Sequence, residues 1–356
     1  MNPKVSILWV NHNSSNFIEL ALESLTAIKE IDYPNYELIM VDNASNDGSF
    51  QTLKNFLNKS HINNKTIRLE KNTGFTGGNN TAYAARSQQS KYVAILNNDA
   101  VPKQQSLTKL VELMETDQSL GATQGVILNL HEKTIDTAGD YISELLQATS
   151  LFQENKPNSL QKPVYATSAD AAYSLFNIQA INKIPDQNGN LFDNYLFGYY
   201  DDHILGLKLW NQGFKIKVFP FITAKHRRGT SFKKAHPLQT YLRTRNLLIL
   251  NEISNSRYKN LIKLLCLRQL STLFFTTITS SKTERKQRES SRLTSKAFTD
   301  GIRIGRNRCH LGEKIDLYKA PILEVQPSAA LAETIVSLQL ADTHLEKSLN
   351  KIANLP

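Results

Sequence analysis

Val5–Val10 is an apolar run rich in β-branched residues, and Leu38–Val41 is another. Runs of this kind fit strands of a parallel sheet, which are buried on both faces and so show little alternation. Between them, Phe17, Leu20, Ala21, Leu25 and Ile28 recur at helical spacing over Asn16–Lys29, and Pro34 marks the return. The rhythm then repeats. A helix follows Asp47-Gly48-Ser49, a strand lies near Thr66–Leu69, a helix runs from about Gly78 to Gln88, and Tyr92–Leu96 is a strand. Alternating elements of this size predict an α/β fold: an open, mostly parallel sheet with helices on both faces. Such sheets bind ligands at the carboxyl ends of their strands. Three apolar runs end in polar clusters there: Asn11-His12-Asn13, Asp42-Asn43-Ala44-Ser45 and Asn97-Asn98-Asp99.

The rhythm changes after Gly121. Gly121–Leu130 and Lys133–Ile142 read as strands or a hairpin, and Asn155–Pro163 as a polar loop. Ala169–Ile181 reads as an apolar helix or a strand followed by a helix, Tyr199–Gln212 as a helix and Phe214–Phe219 as a strand. From about Leu238 the pattern is helical and basic. Leu261–Ser280 carries apolar stretches, but Lys263, Arg268 and Gln269 exclude a clean membrane span. It is either a basic amphipathic surface helix or an ordinary packing helix. Ala329–Ile352 reads as a terminal amphipathic helix.

Composition narrows the class. The 356 residues suffice for one large α/β domain with an appendage or for two ordinary domains, and 40% hydrophobic content excludes wholesale disorder. Cys266 and Cys309, far apart and the only cysteines, fit a reducing compartment and exclude a cysteine-based zinc site within one chain. The apolar run at the N-terminus is too short for a signal peptide. The net charge of +10 is unevenly spread: His203–Tyr318 holds 24 Lys/Arg against 6 Asp/Glu, so the remainder is net acidic. That asymmetry implies an anionic partner, whether nucleic acid, phospholipid headgroup or pyrophosphate-bearing substrate, or else a solvated basic face.

Four stretches could carry chemistry. Asn97-Asn98-Asp99 ends a strand, and a divalent cation bridging two phosphates needs few protein ligands. The same residues would serve as an Asx-turn or helix N-cap before Pro102. Tyr199-Tyr200-Asp201-Asp202-His203 places two carboxylates at the start of a helix, where the dipole favours them. Adjacent carboxylates repel, which suits one of them to act as a base near neutral pH. His226 follows the strand Lys215–Phe221 and precedes Arg227-Arg228-Gly229-Thr230-Ser231. It is either a metal ligand beside phosphate-reading arginines or a surface histidine in a basic loop. Lys71–Asn80, with Gly74, Gly77 and Gly78, reads as a Gly-rich loop before a helix that admits a phosphate or sugar close to the backbone. It has neither the GxGxxG spacing of a dinucleotide fold nor the ending of a P-loop.

Together these residues resemble the inverting family 2 glycosyltransferases, whose fold is called GT-A, and within them the rhamnosyl- and galactofuranosyl-transferase branch. Val5–Asn13 is similar to V-S-I-V-x-V-N-Y-N, and Asp42–Ser49 to D-N-A-S-x-D-G-S. Asn72–Asn80 is similar to N-x-G-F-x-G-G-N-N, Leu96–Asp99 to L-N-P/N-D, and Phe197–Asp202 to the aromatic-rich (E/D)-D motif. Gly213-Phe214 with His226 resembles G-(Y/F)…H, and Tyr241–Asn246 resembles a later Y-x-x-R-N element. The likeness covers roughly residues 4 to 250.

The resemblance implies a GT-A catalytic domain over 1–240, with a nucleotide-sugar half to about 125 and an acceptor half from about 126. A basic, mainly helical region then follows over 241–356. Val10 and His12 stand at the base-contacting positions, with His12 where the family has tyrosine. Asp42 stands where the family's carboxylate meets base or ribose, and Asn43, Asn72, Gly74, Gly78, Asn79 and Asn98 fall in the donor-binding motifs. Asp99 corresponds to the last carboxylate of D-x-D, with Asn97 replacing the first, and His226 to the histidine that completes a Mg²⁺ or Mn²⁺ site. Asp202 corresponds to the catalytic base and Asp201 to its acidic neighbour, while Ile204 stands where a further acid is common.

The expected activity is transfer of a hexose or deoxyhexose from a nucleoside-diphosphate sugar to a hydroxyl, with inversion. Polysaccharide, glycolipid or cell-surface glycan synthesis is the expected setting, with a glycan or lipid-linked glycan acceptor. A cytoplasmic location follows, peripheral on the inner face of the membrane through its anionic surface, with a dimer contact as another use of the C-terminal helices. The competing reading is a non-catalytic basic protein that binds membrane or nucleic acid on a degenerate form of this fold. Nucleic acid is not expected as a partner, because the basic region is aliphatic and helical. A nicotinamide oxidoreductase is disfavoured by the missing GxGxxG.

Overall fold

The apolar runs become strands because neighbouring runs satisfy each other's backbone groups while helices cover both faces. In the computed structural model, which describes residues 2–185, 187, 189–228, 237–268 and 284–327, β1 (Lys4–Asn11) pairs in parallel with β2 (Tyr36–Asp42) and β4 (Ser90–Leu96). β2 pairs in turn with β3 (Asn64–Arg68), also in parallel. The helices α1 (Ile18–Lys29), α2 (Ser49–Ser60) and α4 (Ser106–Thr116) cover one face. There Val5, Ile7 and Trp9 of β1 pack with Leu38 and Met40 of β2 and with Leu25, Leu53 and Leu110 of the helices. Trp9 is fully buried and its indole N–H donates to Ser24 Oγ at 3.1 Å, so its one polar atom is satisfied.

The opposite face receives α3 (Gly74–Ala84). Here the structure corrects the sequence reading. The stretch expected to be a Gly-rich loop enters the helix at Gly74, four residues before the expected start, and Gly77 and Gly78 lie inside it. Glycine is needed for packing: a Cβ on Gly78 would stand 2.8 Å from Val10 Cγ1, so the helix can lie directly on β1 only without one. Gly74 is the tighter case, with φ +76° and a would-be Cβ 2.2 Å from the carbonyl oxygen of Phe197. Gly74→Ala is therefore expected to cost about 1–3 kcal/mol through crowding. A melting temperature equal to wild type would show that the Phe197 segment yields freely.

Among the described residues the sheet has ten strands, in the order β10-β12-β6-β11-β4-β1-β2-β3, with β5 added to β12 and β7 to β6. β6 is Leu120–Asn129, β10 Val164–Tyr165, β11 Tyr173–Asn177 and β12 Lys215–His226. β11 runs antiparallel to both β4 and β6, whereas β12 is parallel to β6. Six principal strands thus share one direction and β11 opposes them, which agrees with the mostly parallel sheet expected. Gly121–Ile142 forms the hairpin anticipated, β6 pairing with β7 (Ile135–Thr137). Ala169–Ile181 resolves into β11 followed by α5 (Ile178–Asn182).

One short strand was not foreseen. β5 (Ala100–Pro102) pairs antiparallel with the end of β12, Ala100 opposite His226 and Pro102 opposite Ala224. It occupies the place where Asp99 would have capped a helix. α4 begins only at Ser106, and Asp99 takes no part in its start.

The chain divides into two units, Met1–Tyr141 with Ser150–Ser231, and Ile142–Thr149 with Phe232–Pro356. The first holds the sheet. In the second, α7 (Pro237–Ile253), a helical segment over 259–268 (α8) and α9 (Glu284–His310) accompany the returning segment around Leu323, which bridges Ser143. Glu144, 1% exposed, accepts hydrogen bonds from Arg257 Nη2, the Val325 amide and the Tyr318 hydroxyl. The Tyr241–Asn246 motif lies in α7, where the Tyr241 hydroxyl donates to Asp300 of α9 at 2.8 Å and Arg245 Nε to Asn246 Oδ1 at 2.9 Å. The expected terminal helix at Ala329–Ile352, and most of Leu261–Ser280 beyond Arg268, lie outside the described residues.

Candidate active site

Three groups of side chains gather where the strands end. The first is organised by Asn11. Its Nδ2 donates to Asp42 Oδ1 at 2.9 Å and to Ser45 Oγ and Ser49 Oγ at 3.1 Å, while its Oδ1 accepts from Ser14 Oγ at 2.6 Å and Asn98 Nδ2 at 3.2 Å. Asp42 is fully buried and also pairs with Arg68 Nε at 3.4 Å. Asn43 Nδ2 donates to Asn72 Oδ1 and the Gly74 carbonyl, and Asn43 Oδ1 receives the Thr73 amide. His12 is exposed, with Nδ1 at 2.8 Å from the Asn43 carbonyl. A carbonyl only accepts, so Nδ1 carries the hydrogen; a neutral ring then leaves Nε2 to accept from Asn72 Nδ2 at 3.1 Å. Both ring nitrogens are thus engaged while the side chain stays exposed.

Of the expected donor-binding residues, Val10, His12, Asp42, Asn43, Asn72, Gly74, Gly78 and Asn98 fall in or against this network. Asn79 turns inward instead: its Nδ2 donates to the Phe75 carbonyl, and its Oδ1 is buried with no partner among the described residues. Its neighbour Asn80 does unforeseen work. It accepts the amides of Leu191 and Phe192 and donates to the Phe192 carbonyl and Asn194, clamping the segment that leads into the Asp-Asp pair.

The second group is assembled by strand register. Because Ala100 lies opposite His226, Asp99 Oδ1 stands 3.2 Å from His226 Nε2. Because β7 pairs with β6, which pairs with β12, Asp136 Oδ2 reaches His226 Nδ1 at 2.8 Å. Arg228 Nε holds the other Asp136 oxygen at 2.8 Å, and its Nη2 lies 3.4 Å from Asp170. Burial disfavours a charged His226, but hydrogen bonds and charge from Asp136 and Asp99 outweigh it and raise its pKa to about 10. Asn97, half-buried, stands at the turn closed by the Ala100 amide on the Asn97 carbonyl.

A carboxylate beside a histidine whose other nitrogen is fixed by a second carboxylate is the arrangement by which proteins orient metal-binding histidines. Among the described residues, no group of three or more His, Cys, Asp and Glu is placed to hold a cation alone. Asp99 and His226 by themselves supply two donors, so a cation held there would need its other ligands from elsewhere.

The third group opens α6 (Asp201–Asn211), with both carboxylates in the first turn. What precedes them is strained: Phe197, Tyr199 and Tyr200 have φ of 71°, 65° and 64°, in the left-handed region that costs L-residues energy. Two anchors hold the segment, Asn80 and the buried pair of Lys208 Nζ with both oxygens of Asp193 at 2.7 Å. Asp202 Oδ1 accepts the His203 amide at 2.8 Å and stands 2.6 Å from His203 Nδ1.

The two aspartates part company electrostatically. For Asp201, 5% exposed, burial and the charge of Asp202 push the carboxyl pKa well up. For Asp202 burial acts the same way, but the charge and hydrogen bonds of His203 prevail and hold it below the usual carboxylate range. The two shifts run in opposite directions, favouring the charged form at Asp202 and the neutral form at Asp201. Sequence reasoning had singled out both, and environment separates them. It did not find Asp136 and Asp140, in three-residue strands, or Asp170, in the irregular segment before β11, because each is an isolated acid with no local pattern.

Residues 6–178 match the model of the glycosyl transferase family 2 domain. The match ends before α6. A Bacillus subtilis protein named as a teichuronic acid biosynthesis glycosyltransferase, TuaG, is 26% identical over 182 residues, 48% of this chain and 70% of that one. Among solved structures, GalNAc-T7 with UDP, GalNAc and Mn²⁺ superposes over 88% of this chain and 58% of its own, with TM-score 0.58 and 12% identity. The S. aureus TarS fragment in complex with UDP-GlcNAc covers 87% of this chain and 92% of its own, with TM-score 0.50 and 15% identity. These likenesses to solved structures concern the fold. Residues 6–178, just under half of the chain, thus match glycosyl transferase family 2, and the fold is that of the GT-A glycosyltransferases.

Proposed function

We propose that the protein transfers a sugar from a nucleoside-diphosphate donor to an acceptor hydroxyl, with inversion at the anomeric carbon. The observation that carries this reading is the placement of a partly accessible Asp202, held by the amide and ring of His203, beside the buried Asp201 at the start of α6. Asp202 takes the acceptor's proton as the hydroxyl oxygen forms its bond to the anomeric carbon. The bond to the diphosphate oxygen breaks, and the nucleoside diphosphate leaves with the electron pair. A single displacement of this kind inverts the centre and needs no covalent enzyme intermediate.

Asp99 and His226 would hold Mg²⁺ or Mn²⁺, with Asp136 orienting His226 and Asn97 beside them. Such a cation, when bound, neutralises charge on the departing diphosphate. The crystal structure of GalNAc-T7 holds UDP and Mn²⁺, which supports the same class of ligands for this chain. Val10, His12, Asp42 and Asn43 would receive the nucleoside. Asn72, Gly74, Gly78, Asn79 and Asn98 shape the wall behind it. The name of the Bacillus subtilis relative supports a cell-envelope polysaccharide as product, and hence a glycan or lipid-linked glycan acceptor. Thermal-shift measurements against a panel of nucleotide sugars, with and without Mn²⁺, test the reading. Metal-dependent stabilisation by one nucleotide class is expected, and no shift with any donor would overturn it.

The C-terminal unit supports a place at an anionic membrane face. Among the described residues no helix is long and apolar enough to cross a membrane. Arg303 and Arg306 of α9 have side chains 71% and 63% exposed, and Leu264 and Leu267 of α8 are also exposed. Each basic residue near such a surface contributes about 1 kcal/mol, within a screening length of roughly 8 Å. Flotation with anionic liposomes and release by high salt are expected. Equal failure to float with anionic and neutral liposomes would point to a soluble acceptor, with these helices serving packing or a dimer contact.

A further inference from the structure

Asp202 sits in unusually acidic company. Asp201 adjoins it on α6, Asp140 of β8 (Asp140–Ile142) and Asp170 from the segment before β11 act on it through their charge, and burial acts in the same direction. Facing cations are few. Arg228 and His226, at and after the end of β12, are drawn to Asp136, Asp170 and Asp99. A carboxylate so placed would hold its proton at neutral pH and could not accept another.

His203 is the group that touches it. The imidazole is 7% exposed and shares Asp202 Oδ1 with its own backbone amide. Its Nε2 is buried with no hydrogen-bond partner among the described residues. An unpartnered buried nitrogen is a cost that an apolar side chain at this position would avoid. We infer that His203 is a positioning residue for transfer: with its ring and its backbone amide both on Oδ1, it aims Asp202 and stabilises the ionised carboxylate.

The inference rests on Asp202 being the base. Its electrostatics agree, since the charge and hydrogen bond of Asp202 hold His203 protonated to a pKa of about 9 against the opposing effect of burial. Removing an opposite charge in contact raises a carboxylate pKa by about 1–3 units. His203→Asn keeps an N–H for Asp202 and removes the charge. Its transfer rate should fall progressively as the pH drops below about 6, recover to wild type near pH 9, and show an acid limb lying about 1–3 pH units above that of the wild type. KM for the donor should stay unchanged.

His203→Gln provides a second neutral variant, and melting temperature with nucleoside-diphosphate binding shows that each is folded. A folded variant with the wild-type pH profile, or with a loss equal at every pH, would overturn the inference. Asp202→Asn run in parallel separates the two levels. If it still transfers sugar, the base assignment falls. If it is inactive while His203→Asn keeps the wild-type profile, only the role of His203 falls.

Discussion

In the Asp202→Asn variant, sugar transfer falls by about 10²–10⁴-fold, the usual contribution of a general base, while nucleoside-diphosphate binding stays at its wild-type level. The amide preserves shape and still accepts the His203 amide at its oxygen, so the fold has little reason to change. It removes only the capacity to take a proton from the acceptor. Calorimetry with the nucleoside diphosphate and metal reads donor binding, and a product assay reads transfer. Asp201→Asn, by contrast, replaces a carboxyl that burial and Asp202 already push toward the neutral form, so a milder loss is expected. Transfer that survives in Asp202→Asn and disappears in Asp201→Asn would reverse the two roles.

Asp99→Ala and His226→Ala each weaken metal-dependent binding of the nucleoside diphosphate, by more than the roughly 10–100-fold typical of losing a supporting residue. Asp136→Asn falls in that supporting range, because it leaves the ligands in place and loosens the hold on His226 Nδ1. Asn97→Ala matters less, since an amide oxygen is a weak ligand beside a carboxylate. Calorimetric titration of the nucleoside diphosphate at fixed Mn²⁺ ranks the four. Activity indifferent to EDTA would remove the cation and leave His226 as a direct phosphate contact.

The parts legible in the sequence were those with local signatures. β1, β2 and β4 announce themselves as apolar runs, and the polar residues that follow them mark the ligand end of the sheet. Adjacent Asp201 and Asp202 stand out because two neighbouring carboxylates are hard to explain by one helix terminus. Lys71–Asn80 misled because glycine and asparagine have low helix propensity, and only the closeness of Val10 and Phe197 shows why α3 begins within it. β5 was hidden by its length of three residues and its proline. With it was hidden the reason Asp99 meets His226, which is a register between strands more than a hundred residues apart. His203 was visible as a letter, but its role depends on the acids around Asp202, among them Asp140 and Asp170, which come from distant parts of the chain.

The left-handed backbone at Phe197, Tyr199 and Tyr200 bears on how this protein can be engineered. Each such residue costs on the order of 1–3 kcal/mol relative to glycine, so selection for heat resistance alone should enrich glycine or asparagine there. Those changes would relax the segment that delivers Asp201 and Asp202 to the start of α6. A thermostability library would then drift toward robust but slow enzymes, and its best starting positions lie in the helices of the C-terminal unit, away from this segment in the chain.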